Sequence, residues 1–294
     1  MKVALYGKTI KKDHVQDIKV LLQTFNSEQD TLLIHDNLLP YFETVDFDYQ
    51  FPFAKYASNK DLDESIDYLI SIGGDGTFLD TILLVGNLNI PILGINTGRL
   101  GFLSNTPTSD ILHAIECLRQ KKYHIEYRSL LQLDSPNQLF KNENFALNEI
   151  SILKRDSSSM ISIDVKLDNT PLNVYWTDGL IIATATGSTA YSLSCGGPIL
   201  MPGSGNFVIT PIAPHNLNVR PMVIDNDSKL TITVDGRAEK NLIALDSRSQ
   251  ELKNKLEITI QKAKHQIALI QIDKNNFIHS LKAKLNWGLD SRNK

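Results

Sequence analysis

The feature that most constrains this chain is an apolar run that breaks at a glycine loop and resumes as a helix. Tyr68 to Ile72 runs into Gly73, Gly74, Asp75, Gly76 and Thr77, and an apolar helical pattern restarts at Phe78, Leu79, Ile82 and Leu83. A strand, a tight loop and a helix leave this trace in a sequence. Glycine admits positive φ and a close ligand, and a helix N-terminus offers unpaired N–H groups to an anion. A carboxylate inside such a loop would repel a phosphate, so Asp75 needs a task of its own. Accepting a proton from a hydroxyl that attacks phosphorus is one such task. A plain turn with a solvated aspartate fits the motif alone equally well.

The chain before and after this loop repeats the same alternation. Val3–Tyr6 and Thr31–His35 read as short buried strands, and Ile90 to Asn96 as another that ends in a Gly/Asn turn. Helical periods occupy Val15 to Phe25, capped by Asp13, and Ile111 to Leu118, capped by Thr108 or Ser109. Four strands alternating with helices predict a doubly wound α/β unit, whose ligands sit beyond the carboxyl ends of the strands. Gly7-Lys8-Thr9 lacks the upstream glycine of a Walker A loop and reads as an ordinary strand-to-helix loop. The aromatic residues Tyr41, Phe42, Phe47, Tyr49, Phe51, Phe53 and Tyr56 read as packing, because no regular basic residues interleave with them.

From about Tyr123 the period changes from 3.6 to 2. Runs at 145–153, 161–167, 173–182, 207–212, 229–234 and 255–261 are separated by turn residues such as Asp168-Asn169 and Asp235-Gly236. They predict an all-β domain of two packed sheets. A last strand, Gln266 to Ile272, precedes a C-terminal helix from about Asn275. At 294 residues, with 42% hydrophobic and 21% charged, the chain has ample core for two such domains.

Charge and cysteine content remove several classes. A net charge of −3 gives no bulk electrostatic case for nucleic acid or a membrane surface. The 2 cysteines, Cys117 and Cys195, are far apart, and the 7 histidines form no paired metal motif. No protein-built metal site is expected. No apolar stretch approaches the length of a membrane span or signal peptide, so a soluble, cytoplasmic protein is the expectation.

Two segments place polar groups inside apolar strands. Asn148 and Glu149 interrupt Ala146 to Ile152, and adjacent strand residues face opposite ways, so one must face inward or lie at an edge. Between Trp176 and Pro198 an apolar strand opens into Thr184, Thr186, Ser188, Thr189, Ser192 and Ser194. So many hydroxyls around Gly187 and Ala190 suit sugar hydroxyls or phosphates, and Tyr191 is available to stack on a base.

Taken in order, Gly73-Gly74-Asp75-Gly76-Thr77, Gly94-Ile95-Asn96-Thr97-Gly98-Arg99-Leu100-Gly101-Phe102-Leu103, Asn148-Glu149, Asp178-Gly179-Leu180 and Thr186 to Ser194 resemble the NAD kinases over nearly the whole chain. The resemblance implies ATP-dependent phosphorylation of the 2′-hydroxyl of the adenosine ribose of NAD, giving NADP. It makes Asp75 the base and Gly73–Thr77 a phosphate cradle. It carries dinucleotide contacts onto Asp75, Gly76, Asn148, Glu149, Asp178, Thr189, Ala190, Tyr191, Ser192, Leu193 and Ser194. It also implies a divalent cation, Mg²⁺, and a homodimer or homotetramer. The implied architecture is an α/β nucleotide-binding domain, residues 1–122 with a C-terminal helix at 273–294, and an inserted β-sandwich at 123–272.

Ala185, Trp176 and Arg248 depart from the family pattern, and an arginine at 248 could meet a phosphate. A lipid or sphingoid-base kinase shares the aspartate-glycine loop and stays open as an alternative, as does a catalytically silent dinucleotide-binding regulator.

Overall fold

The computed structural model describes residues 1–8, 12–25, 29–43, 52–98, 101–136, 138–155, 159–237, 239–272 and 276–285. The chain divides into two compact units, Met1–Tyr127 with Ile267–Lys294, and Arg128–Gln266.

The first unit is built on a parallel sheet. Its strands lie in the order Phe53–Tyr56, Thr31–His35, Lys2–Gly7, Tyr68–Ile72, Ile92–Asn96. Leu269, near the end of strand Glu257–Gln271, pairs with Ile92. The order reverses between Lys2–Gly7 and Tyr68–Ile72, which run in register from Val3 beside Tyr68 to Gly7 beside Ile72. Chains leaving the carboxyl ends of two such strands turn to opposite faces and open a crevice between them. The Gly73–Thr77 loop leaves one of these two ends.

Period-2 alternation sends each strand's side chains to both faces. Ile70 and Ile72 join a core with Ile18 and Leu21 of helix Val15–Gln23 and Ile115 and Leu118 of helix Ile111–Gln120. Ser71 points the other way, and Thr81 of helix Asp75–Val85 donates to its hydroxyl at 2.8 Å. Helices therefore cover both faces, as the continuous apolar strands require.

The second unit is a sandwich of two antiparallel sheets. One contains Thr170–Thr177, Ile161–Leu167, Leu230–Asp235 and the first part of Glu257–Gln271. The other is six-stranded, in the order Met222–Asp225, Asn206–Ile212, Gly179–Thr184, Glu149–Leu153, Lys240–Leu245, Arg248–Lys253. Ile163, Val165 and Ile232 of the first sheet share one core with Ile150, Leu180, Ile209 and Ile243 of the second.

Several expectations need correction. The run 173–182 is two strands in different sheets, because the chain changes sheet at Asp178. The runs 255–261 and 266–272 are one strand, Glu257–Gln271. Strand Phe53–Tyr56 was hidden among the aromatics, and Tyr56 donates its hydroxyl to the carbonyl of Leu5 at 3.0 Å. Phe47, Tyr49 and Phe51 lie outside the described residues. Asp13 sits within a 3₁₀ turn, Lys12–His14, so the cap position of the following helix falls to His14. The C-terminal helix is described over Asn276–Leu285.

One buried ion pair ties helix Ile111–Gln120 to the sheet side of the first unit. Arg119 donates to both carboxylate oxygens of Asp30, at 3.1 and 2.7 Å, and the Asp30 side chain is fully buried. The Met1 ammonium also reaches Asp30, at 3.0 Å, so Asp30 keeps a cation when Arg119 is removed and only the Arg119 hydrogen bonds are lost. Arg119→Met is expected to lower stability by about 2 kcal/mol, measured as a shift in the urea midpoint at unchanged m-value.

Candidate active site

In the first unit the site grows from the end of strand Tyr68–Ile72. Gly73 has φ 153°, and a Cβ there would lie 2.7 Å from Cβ of Thr77, so the loop can close only on a glycine. Helix Asp75–Val85 begins at once, which puts the Asp75 carboxylate at its N-terminal turn. Open space surrounds the Cβ directions of Gly74 and Gly76. No side chain covers the turn at these two positions.

Asp75 is held from the other side by the turn at 101–104. Its carboxylate accepts the N–H groups of Phe102 at 2.9 Å, Leu103 at 3.1 Å and Ser104 at 3.0 Å. Two glycines permit the approach. A Cβ on Gly94 would lie 2.8 Å from Cα of Ser104, and a Cβ on Gly101 would occupy the place of an Asp75 oxygen. Asn96 locks the turn by donating to the carbonyl of Ser104 at 2.9 Å. Lys284 of helix Asn276–Leu285 adds an ammonium 3.1 Å from Asp75 and 4.6 Å from the centre of the Phe102 ring. Burial pushes the Asp75 pKa up, but the N–H donors of Phe102 and Ser104, the Lys284 charge and the N–H of Leu103 outweigh it and hold the group below its ordinary value. Sequence periodicity had no means of finding Lys284, which lies 209 residues from Asp75. Arg99 and Leu100 lie outside the described residues.

In the second unit, strand Gly179–Thr184 delivers the hydroxyl-rich segment against Asn148-Glu149. Thr184 donates its hydroxyl to the carbonyl of Leu147 at 2.6 Å and its N–H to that of Asn148 at 2.9 Å. Gly187 lies so close that a Cβ would come within 2.7 Å of Cα of Asn148. Most of the hydroxyls serve the fold. Ser188 donates to the carbonyl of Ala185 at 2.7 Å and accepts the N–H of Leu200 at 2.9 Å. Ser192 is buried against the hydroxyl of Thr210 at 2.8 Å. Thr189 donates to the carbonyl of Thr186 at 3.2 Å, and Thr186 accepts from buried Arg128 at 3.2 Å. These side chains shape a surface, while Ser194 and Tyr191 are exposed on it and Ala190 and Leu193 half-buried between them.

Asn148 and Glu149 are both half-buried. Asp246, at the turn after strand Lys240–Leu245, accepts the N–H groups of Leu147 at 2.9 Å, Asn148 at 2.8 Å and Glu149 at 3.2 Å. Glu149 accepts the N–H of Tyr191, and its Oε2 is buried without a partner. Burial first, and the Asp246 carboxylate second, push the Glu149 pKa up to about 8.

The remaining expected residues have fold partners. Asp178 forms an ion pair with Lys154 at 2.6 Å and is only part-exposed. Arg248 donates to the carbonyls of Glu143 and Phe145 and lies 5.9 Å from the centres of the Phe140 and Phe145 rings. Those donors hold the 140–145 segment. Trp176 is 54% exposed.

Comparison with known proteins covers most of the chain. The ATP-NAD kinase N-terminal domain model matches residues 7–123 and the ATP-NAD kinase C-terminal domain model residues 147–272. The chain is 41% identical to the NAD kinase of Cytophaga hutchinsonii over 293 residues, and the alignment spans 100% of both chains. The chain belongs to the NAD kinase family. It is likewise 44% identical to the NAD kinase of Flavobacterium psychrophilum over 298 residues, again across 100% of both. Among solved structures, yeast NADH kinase complexed with NADH has the same fold, with a TM-score of 0.87, 21% identity and coverage of 100% of this chain and 89% of that one. An NAD kinase from Archaeoglobus fulgidus in complex with ATP gives a TM-score of 0.74 at 25% identity, covering 96% and 99%. As a member of the family the chain is a phosphotransferase.

The two displaced carboxyls act on stability with opposite signs. Glu149, raised above its ordinary 4.5, contributes fully below that value, and the contribution is lost as pH rises through about 8. Asp75, lowered from 3.8, contributes above that value and loses its contribution as pH falls through its folded pKa. Glu149→Gln is therefore expected to flatten the fall in thermal midpoint between about pH 4.5 and about pH 8. Asp75→Asn should flatten the fall below pH 4.

Proposed function

We propose that Asp75 is the general base that takes the proton from the adenosine 2′-hydroxyl of NAD as ATP transfers its terminal phosphoryl group, giving NADP and ADP. The observation that carries this reading is the placement of Asp75 at the strand-order reversal, at the start of a helix and between two glycines, Gly74 and Gly76, whose Cβ positions are open space. A ribose hydroxyl is a poor nucleophile at neutral pH, and a positioned carboxylate contributes roughly 10²–10⁴-fold. The N–H groups of Gly74, Gly76 and Thr77 would receive phosphate oxygens. Asn148, Glu149, Asp178 and the 189–194 surface would hold the dinucleotide.

Lys284 adds to the N–H donors of Phe102 and Ser104 in lowering the basicity of Asp75. Its ammonium and the N–H groups of the 101–104 turn keep the carboxylate ionised but weakly basic. An incoming phosphate competes for the same ammonium, and transfer of Lys284 to phosphate would leave Asp75 more basic when the acceptor is attacked.

Among the described residues no group of three or more His, Cys, Asp or Glu converges as a metal cage, and the oxygens of Asp75 are occupied by N–H donors and Lys284. A Mg²⁺ ion entering with the donor would be held by phosphate oxygens and water and would screen the phosphate charge. No described helix is long and apolar enough to cross a membrane. A homodimer or homotetramer in the cytoplasm belongs to the same proposal, and sedimentation of the purified chain measures its assembly.

Incubation with ATP, Mg²⁺ and NAD, with NADP read by a coupled dehydrogenase, tests the reading. Wild-type turnover is expected, reduced at least about a hundredfold in Asp75→Asn. Folded wild type that makes no NADP would refute the reaction, and an unimpaired Asp75→Asn would refute the base. In Lys284→Met the acid limb of the kcat/KM profile for NAD should move to higher pH, because the positive charge that lowers the Asp75 pKa is gone.

A further inference from the structure

The Asn148-Glu149 turn is organised by a residue that no ligand-binding pattern singles out. We propose that Asp246 is a positioning residue for acceptor binding, which clamps the backbone of Leu147, Asn148 and Glu149 and makes the Glu149 carboxyl a hydrogen-bond donor to the bound dinucleotide. This rests on the reading of Asn148 and Glu149 as acceptor-binding residues.

The geometry supplies both halves of the inference. Three consecutive N–H groups converge on the carboxylate of Asp246, a half-buried residue, at 2.9, 2.8 and 3.2 Å. In return, the N–H of Asp246 donates to the carbonyl of Glu149 at 3.0 Å. Asp246 reaches this position with φ 51°, a left-handed conformation that the following strand, Arg248–Lys253, and its partner hold in place. The clasp is therefore built from both directions.

Two carboxyls in one desolvated place do not both ionise. The groups that face this pair are Arg248, on the hairpin that carries Asp246, and Tyr191, on helix Tyr191–Ser194, with Cys195 beside that tyrosine. Burial is the largest influence on both acids and raises the pKa of each, that of Asp246 against its N–H donors and the Arg248 charge. Asp246 has three N–H donors and the Arg248 charge on its ionised side, whereas Glu149 has only the N–H of Tyr191. An ionised Asp246 uses all its donors, and a protonated one would need an acceptor in place of an N–H. The proton resides on Glu149. A neutral carboxyl with an oxygen that has no protein partner can donate to a ribose or ring acceptor, which a carboxylate cannot do.

The test follows KM for NAD from pH 6 to 9.5 at saturating ATP, beside infrared spectra of the carboxyl C=O band. In the wild type, KM should rise about tenfold between pH 7 and pH 9, as the donor form is lost. Asp246→Asn removes the charge beside Glu149, so the midpoint of that rise should fall by at least about one pH unit. Damage to the loop alone would raise KM at every pH and leave the midpoint where it was. Glu149→Gln keeps a donor that does not titrate, and its KM should not vary with pH. A KM flat across the range in wild type, or a midpoint unmoved in Asp246→Asn, would overturn the proposal. The infrared arm needs neither turnover nor a folded Asp246 variant: the wild-type protein at pH 7 should show a protonated carboxyl band that Glu149→Gln lacks. Absence of that band overturns the proposal even where NADP is formed, whereas a wild type that shows the band but makes no NADP would refute the kinase reading instead.

Discussion

One interaction is used twice in this protein, and both candidate clusters depend on it. A loop that leaves a strand exposes consecutive N–H groups with no ladder partner, and buried donors of this kind must be satisfied. An ionised carboxylate offers about four acceptor positions and can take several at once. Asp75 takes the N–H groups of Phe102, Leu103 and Ser104, and Asp246 takes those of Leu147, Asn148 and Glu149. Each aspartate thereby sets the path of a loop distant from it in sequence. The glycines follow from this choice, since Gly94 and Gly101 are needed for the 101–104 turn to come close enough to Asp75.

The same device has opposite electrostatic results because the neighbours differ. Asp75 has Lys284 beside it, and its pKa is held down. Asp246 has Glu149 beside it, and the repulsion, added to burial, keeps a proton on Glu149 near neutral pH. Two chemically similar carboxyls are thus displaced in opposite directions. Separate acid and donor roles from chemically similar groups require such divergent surroundings.

In the hydroxyl-rich segment most of the hydroxyls serve the fold. Thr184, Ser188 and Ser192 direct their hydroxyls at backbone carbonyls or at Thr210. They satisfy a tight reversal after strand Gly179–Thr184, which local side-chain hydrogen bonds commonly do. What reaches the surface is the exposed side of Tyr191 and Ser194. Arg248 follows the same logic, since its guanidinium is occupied by the carbonyls of residues 143 and 145.

The sequence by itself determined the parts that rest on local periodicity and on turn chemistry. Strands Thr31–His35, Tyr68–Ile72 and Ile161–Leu167 have the bounds that their apolar patterns predict, because a buried strand must place apolar groups at fixed intervals. The change from helical to alternating periodicity near Tyr123 likewise announced the sandwich, and the ordered motifs named the family. Strand Arg248–Lys253 escaped because it is polar and largely exposed, so it leaves no alternation to read. The division of 173–182 between two sheets escaped because both halves are apolar and only pairing partners tell them apart. Asp75 was legible as a carboxylate in need of a role, but its surroundings were not. The N–H groups that hold it lie at least 27 residues away and Lys284 lies 209 away. Basicity is a property of what surrounds a group, and only the tertiary structure decides that.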